Sequence, residues 1–259
     1  MSRRFSLNLA TILTADFSRK LHAASAAGFS AVGLLLSDLV RGGETALAEL
    51  QASGLAVSEL VELSGWAAPD RAARATVLSQ AARAFELAAH LKSAVVVAAA
   101  PPGEVETVAV AQCFGELCHL AARHGVRVGL ECDGAAEQLK DIAASWEVVD
   151  TSGAENGGLV IDTFHFYRGG STVEMLEAIP GKRIFLVQVA DSMEVAPYNH
   201  EDRRRIYPGT GAIIFEPLLA ALSEKSYDGY YSLELYNEDY WRADPLLVAR
   251  EGMRAMRRL

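Results

Sequence analysis

Apolar residues along this chain gather in short runs, and between the runs lie longer stretches with the spacing of amphipathic helices. The runs over residues 5–10, 31–35, 56–60, 94–99, 127–131, 158–162, 184–189 and 230–235 read as eight strands. Several are rich in Val, Ile, Leu and Phe without strict alternation, as expected of strands covered on both faces. Helices are predicted over 17–27, 43–53, 70–90, 105–124, 135–148, 171–179, 215–225 and 243–258. A glycine follows several of these segments, as at Gly28, Gly54 and Gly125, where a helix can end in the left-handed region. Asp244-Pro245 supplies an N-cap and a first-turn proline for the last helix. Alternating strands and helices imply a parallel sheet, and eight repeats favour closure over an open sheet. The predicted fold is α/β, a single (β/α)8 TIM barrel spanning residues 1–259 as one domain.

Length and composition agree with this. The chain has 259 residues and is 51% hydrophobic, enough for one barrel of about 250 residues. A net charge of −9 argues against nucleic-acid or anionic-membrane partners, which need a basic face. The three cysteines, Cys113, Cys118 and Cys132, form no CxxC pair. With no signal-peptide pattern and no apolar stretch long enough to cross a bilayer, the expected location is cytoplasmic. A homo-oligomer is compatible with all of this.

In a barrel of this type, side chains at the C-terminal ends of strands build the active site. The fifth strand ends in Glu131, the sixth in Asp162, the seventh in Gln188 with Asp191 just beyond, and the eighth in Glu234. Three carboxylates and an amide oxygen from four successive strands would repel one another unless a cation lay between them. The expected cofactor is therefore one divalent ion held by Glu131, Asp162, Gln188 and Glu234. Oxygen donors favour Mn²⁺, Mg²⁺ or Co²⁺ over Zn²⁺. His165, three residues past Asp162 at the barrel mouth, is a candidate substrate contact. Glu62 and Asp191 are read as supporting residues, and the histidines at 22, 90, 119, 124 and 200 as ordinary helix or loop residues. The run Arg203-Arg204-Arg205 sits on the long irregular segment 191–213, from which one arginine can reach substrate oxygens.

Three segments carry a family resemblance. Asp162-Thr-Phe-His165, Arg205-Ile-Tyr-Pro-Gly-Thr-Gly211 and Ser232-Leu-Glu234-Leu-Tyr-Asn-Glu-Asp-Tyr-Trp241 resemble motifs of the xylose isomerase-like, or sugar phosphate isomerase/epimerase, TIM-barrel superfamily. The last two are especially similar to those of inosose isomerases. The resemblance implies that Glu131, Asp162, Gln188 and Glu234 bind the metal and that Glu131 and Glu234 also move protons. It further implies that His165 and Arg205 hold the substrate, with Glu137 as a weaker match to another substrate contact. Two departures stand out. Many members carry His-x-x-Asp on the seventh strand, where this chain has Gln188-Val-Ala-Asp191; a glutamine there resembles the 3-dehydroshikimate dehydratases. Leu34 stands where many relatives carry an acid.

The expected activity is a metal-dependent isomerisation or epimerisation of a keto-sugar or keto-polyol, similar to a keto-inositol, through an enediolate. The alternative is a lyase that dehydrates 3-dehydroshikimate or an inosose. A metal-free binding barrel leaves the strand-end carboxylates unexplained. The zinc DNA-repair endonucleases of the same superfamily need more histidines and a DNA-binding face.

Overall fold

Eight parallel strands close into a barrel in the computed structural model, which describes residues 3–103, 106–193 and 202–259. They are β1 (Arg4–Asn8), β2 (Ala31–Leu35), β3 (Ala56–Leu63), β4 (Val95–Ala99), β5 (Val128–Glu131), β6 (Gly157–Asp162), β7 (Ile184–Val189) and β10 (Tyr230–Leu233). Neighbours in sequence are neighbours in space, and β1 pairs with β10 to close the ring. A two-residue antiparallel ladder, β8 (Asp191–Ser192) with β9 (Arg205–Ile206), stands on the rim.

The helices α1 (Phe17–Ala27), α2 (Leu36–Ser53), α3 (Arg71–Leu91), α4 (Thr107–Ala122), α5 (Ile142–Ser152), α7 (Glu216–Glu224) and α9 (Pro245–Met256) cover the barrel. Two short ones, α6 (Thr163–Arg168) and α8 (Glu238–Arg242), sit directly on the C-terminal ends of β6 and β10. Their buried faces and the outward strand residues form one core, from Leu7 and Leu9 through Phe85 and Phe114 to Val248 and Met256. Caps set the helix starts. Asp70, Asp141 and Asp244 each accept backbone N–H groups of the first turn, satisfying donors the helix leaves orphaned.

All eight predicted strands are present. Two helix expectations need correction. Residues 135–141 are turns rather than helix, because Asp133 ties back to Ala135 and Asp141 caps the helix that begins at Ile142. Residues 171–179 hold only a 3-10 turn, Val173–Leu176; the helix after β6 is instead α6, started by Asp162 itself. His200 and the rest of residues 194–201 of the irregular rim segment lie outside the described residues. No helix among the described residues is long and apolar enough to cross a membrane.

Candidate active site

The C-terminal strand ends carry the polar groups into one cavity of about 270 Å³, lined by Val61, Glu62, Ala99, Ala100 and Tyr236 beside Glu131, Asp133, His165, Arg205 and Glu234. Glu131, Asp162 and Glu234 are buried, and one carboxylate oxygen of each lies within 4.8 Å of the others. Barrel register makes this meeting: Asp162 pairs with Gln188, and Gln188 with Ser232, two residues before Glu234. Thr11 fixes the last step. Its hydroxyl donates to Leu233 O at 3.0 Å and accepts from Leu235 N at 3.0 Å, gripping β10 on either side of Glu234.

Asp162 and Glu234 are each held by protein donors on both oxygens, and Arg205 is the donor they share. Asp162 Oδ1 accepts from His165 N at 2.9 Å, capping α6, while Oδ2 accepts from Arg205 Nη1 at 2.5 Å. Capping and site-building are therefore compatible roles for one aspartate. Glu234 Oε1 accepts from Asn8 Nδ2 at 2.7 Å and Gln188 Nε2 at 3.0 Å, while Oε2 accepts from Arg205 Nη1 at 3.1 Å. The Arg205 guanidinium thus stands where a shared cation would stand. It is also stacked within 4.8 Å of the Phe164 ring centre and 5.4 Å of Tyr236.

The charges shape the acidities. Burial, then Glu234 and Asp162, push Glu131 well above the usual carboxylate range. Burial also pushes Glu234 up; Arg205 opposes this, but Asp162, Glu59 and Glu62 add to it. Burial works on Asp162 too, yet Arg205, His165 and the α6 cap outweigh it and hold Asp162 below its ordinary value. One carboxylate is kept ionised while its two neighbours are made basic, the arrangement expected where protons are to be moved.

The donor set fits a divalent ion. Three buried carboxylates converge, and the amide end of Gln188 lies against Glu234 with a carbonyl oxygen that has no hydrogen-bond partner among the described residues. A buried acceptor left unpaired is costly, and a cation would satisfy it.

His165 has a defined orientation. Gly134 N donates to Nδ1 at 3.2 Å, and Arg205 Nη2 lies 3.0 Å from Nε2. A neutral imidazole has one acceptor nitrogen, so these contacts cannot both be hydrogen bonds. Nε2 lies 3.9 Å from Glu131 and Nδ1 lies 3.5 Å from Asp133, so the ring sits between two acids and the guanidinium. Glu137 is exposed on the loop after β5 and is not among the residues lining the cavity.

Arg205 is delivered by its loop. Asp191, fully buried, accepts from the backbone N–H groups of Ser192, Gly209, Thr210, Gly211 and Ile213. Asn237 Nδ2 donates to Arg205 O at 3.0 Å. The Pro-Gly-Thr-Gly turn is thus wrapped around one carboxylate, which explains the aspartate three residues past Gln188. Sequence reasoning missed Asn8 and Tyr236 as site residues. Asn8 was legible in principle: it ends β1 as Glu131 ends β5, but the predicted strand ran on to residue 10 and hid the end.

Known proteins share this fold and parts of this sequence. An inosose isomerase of Bacillus subtilis (strain 168) is 32% identical over 144 residues, which is 55% of this chain and 50% of that protein. A 3-dehydroshikimate dehydratase of Pseudomonas aeruginosa is 28% identical over 262 aligned positions, 96% of this chain and 41% of that protein. The matches therefore span about half, or less, of the curated relatives' own length. Among solved structures, the IOLI protein with a bound zinc atom superposes with a TM-score of 0.90 at 24% identity, covering 98% of this chain and 96% of that one. The 3-keto-D-glucoside 4-epimerase YcjR of E. coli gives 0.81 at 18% identity over the full length of both. The model of the family described as xylose isomerase-like TIM barrel matches residues 21–259, and the chain belongs to that family.

Proposed function

We propose that this protein is a divalent-metal-dependent isomerase or epimerase of a neutral keto-polyol, resembling a keto-inositol or a keto-sugar. The carrying observation is the triad of buried carboxylates within 4.8 Å of one another beside the unpartnered Gln188 oxygen. Glu131, Asp162, Gln188 and Glu234 would hold the ion. A divalent cation there supplies Lewis acidity toward a ketone oxygen and its neighbouring hydroxyl.

The chain's own groups do the rest. Glu131 and Glu234, both made basic by burial, take the proton from the carbon beside the ketone and return it. Return to the opposite face gives epimerisation; return to the adjacent carbon, with a hydroxyl proton transferred, gives isomerisation. His165 and Arg205 hold substrate oxygens, with Arg205 leaving the carboxylates when the ion is bound. Tyr236 forms part of the cavity wall. A cavity of about 270 Å³ is at the small end for ligand pockets and suits one ring or a short open chain.

The charge of the lining residues supports the neutral substrate in this reading. Glu62, Glu131, Asp133 and Glu234 line the cavity, and Arg205 is the one arginine or lysine among its lining residues. With the ion on Glu131 and Glu234, the acids left outside the ligand set are Glu62 and Asp133, which offer acceptors to the hydroxyls of a neutral polyol and disfavour an anion beside them. The dehydratase reading draws on Gln188 and on the match along 96% of the chain. The deciding experiment loads the purified protein with Mn²⁺ and follows deuterium from D2O into keto-inositols and keto-sugars. In parallel it follows protocatechuate absorbance from 3-dehydroshikimate. Exchange without elimination upholds the isomerase; protocatechuate release replaces it with the lyase.

A further inference from the structure

A second polar layer lies sealed beneath the carboxylate triad. Ser6 and Asn8 on β1, Ser58 and Glu59 on β3, and Ser232 on β10 are all 0% exposed. Interiors of such barrels are ordinarily filled by branched apolar side chains, and a carboxylate removed from water is costly without hydrogen bonds. Glu59 has them. Ser232 Oγ at 2.6 Å and Asn8 Nδ2 at 3.2 Å donate to Oε1, and Ser58 Oγ donates to Oε2. Ser6 Oγ backs Ser58 Oγ at 2.5 Å. The barrel has also made room for this group. Gly33 is its register partner on β2, and a Cβ at that glycine would stand 2.1 Å from Glu59 Oε1.

Asn8 connects this layer to the site above. Ala10 N donates to Asn8 Oδ1 at 3.0 Å, which fixes the oxygen end of the amide. Both Nδ2 hydrogens are then committed, one to Glu59 Oε1 and one to Glu234 Oε1. An amide flip would turn Oδ1 toward two carboxylates, so the Glu59 anion enforces the orientation. With Asn8 and Gln188 both donating to Oε1 of Glu234, the end of that side chain cannot rotate and exchange its oxygens. Oε2 is left as the oxygen facing the cavity.

We propose that Asn8 is a positioning residue for Glu234, and that Glu59 acts through Asn8 as the buried anion holding its amide in place. This rests on the reading of Glu234 as a metal ligand and proton carrier. Residues that orient metal ligands commonly affect affinity about 10–100-fold. The experiment is Mn²⁺ titration calorimetry on the chelator-stripped protein, with each variant's melting curve recorded. Asn8→Ser keeps an oxygen for the Ala10 cap but is too short to reach Glu234. It is expected to weaken Mn²⁺ binding about tenfold while folded at the titration temperature. Glu59→Gln weakens binding less, and the Asn8→Ser/Glu59→Gln pair is no worse than Asn8→Ser alone, because Glu59 acts through Asn8. Additive losses overturn the role given to Glu59. Should Asn8→Ser not fold, Gly33→Ala crowds Glu59 without removing a donor and is expected to weaken binding in the same direction. Parent-like affinity in the folded Asn8 variant, or in Gly33→Ala where that stands in, overturns the proposal. Failure of the parent to bind Mn²⁺ at all overturns the metal site instead.

Discussion

The two halves of the barrel mouth are built differently. Strands β5 and β6 end in Glu131 and Asp162, β7 carries Gln188 one residue before its end, and Glu234 lies one residue past β10. Strands β2 and β4 end in Leu35 and Ala99, and β3 offers Val61 with a single acid, Glu62, to the same cavity. One half concentrates charge that must be neutralised; the other is a mostly apolar wall of small side chains. The division suits a reaction in which one edge of a substrate is held by charged groups and the remainder by shape. The reacting half should therefore govern turnover, and the wall should govern which molecule enters.

The largest effect belongs to the proton carriers. Glu131→Gln and Glu234→Gln keep side-chain size but remove the base. Solvent-deuterium exchange into the accepted ketone should fall about 10²–10⁴-fold in each. Loss in only one variant would mean that a single carboxylate moves the proton on both faces. Close in size is Arg205→Ala. The guanidinium contacts both Asp162 and Glu234 in a buried site, and removing one partner of a buried ion pair costs about 3–5 kcal/mol. Chelator-treated Arg205→Ala should melt well below the parent and recover most of the difference when Mn²⁺ is added, since the ion binds only the folded state. A melting temperature equal to the parent's would show that Arg205 does not neutralise the triad.

A smaller effect separates the charged layer from its buried support. Glu59 is fully buried and its pKa is pushed up to about 6, chiefly by burial, against 4.5 for an ordinary glutamate. A carboxylate with a raised folded pKa adds stability below its unfolded pKa and loses it as pH rises through the folded one. The shift corresponds to about 2 kcal/mol at neutral pH. Glu59→Gln lacks this dependence. Relative to that variant, the metal-stripped parent should weaken by about 2 kcal/mol between pH 4 and pH 7 in denaturant titrations. Parallel pH curves for the two proteins would mean that Glu59 has an ordinary pKa.

The same asymmetry decided what could be read from the sequence. The eight strands were legible because strands covered on both faces are continuous apolar runs, and β7 appears with the bounds its run suggests. Glu131, Asp162 and Glu234 were legible because each ends such a run. Glu59 was hidden because it lies inside a strand, where alternation assigns it a place in the core and only the third dimension supplies Ser232 and Asn8. The helix boundaries after β5 and β6 were lost to turn chemistry. Asp141 and Asp162 are caps whose partners three residues on are backbone N–H groups, which the side chains there do not reveal. The anchoring of Arg205 by Asp191 was out of reach for a related reason: its partners are backbone N–H groups, which every sequence offers alike.

The smallest expected effect tests the wall. Glu62 lies on β3, lines the cavity and is exposed, so water screens its charge. It raises the acidities of Glu131 and Glu234 only as a late contribution after burial and nearer charges. In the proposed reading it would serve as an acceptor for substrate hydroxyls and a repellent for substrate anions. Glu62→Gln keeps the shape and an acceptor oxygen but removes the charge. For a neutral keto-polyol, KM should rise by no more than a few-fold, about 1 kcal/mol or less, with kcat nearly unchanged. For a carboxylate-bearing analogue such as 3-dehydroshikimate, KM or the inhibition constant should fall, because a repulsive contact has gone. Opposite movement of the two constants would confirm that this wall selects by charge. If the substitution weakens both ligands equally, Glu62 acts only as a hydrogen-bonding group and the preference for neutral substrates has another source. If kcat falls by orders of magnitude while KM holds, Glu62 belongs with the proton carriers, and the division between a reacting half and a selecting wall is wrong.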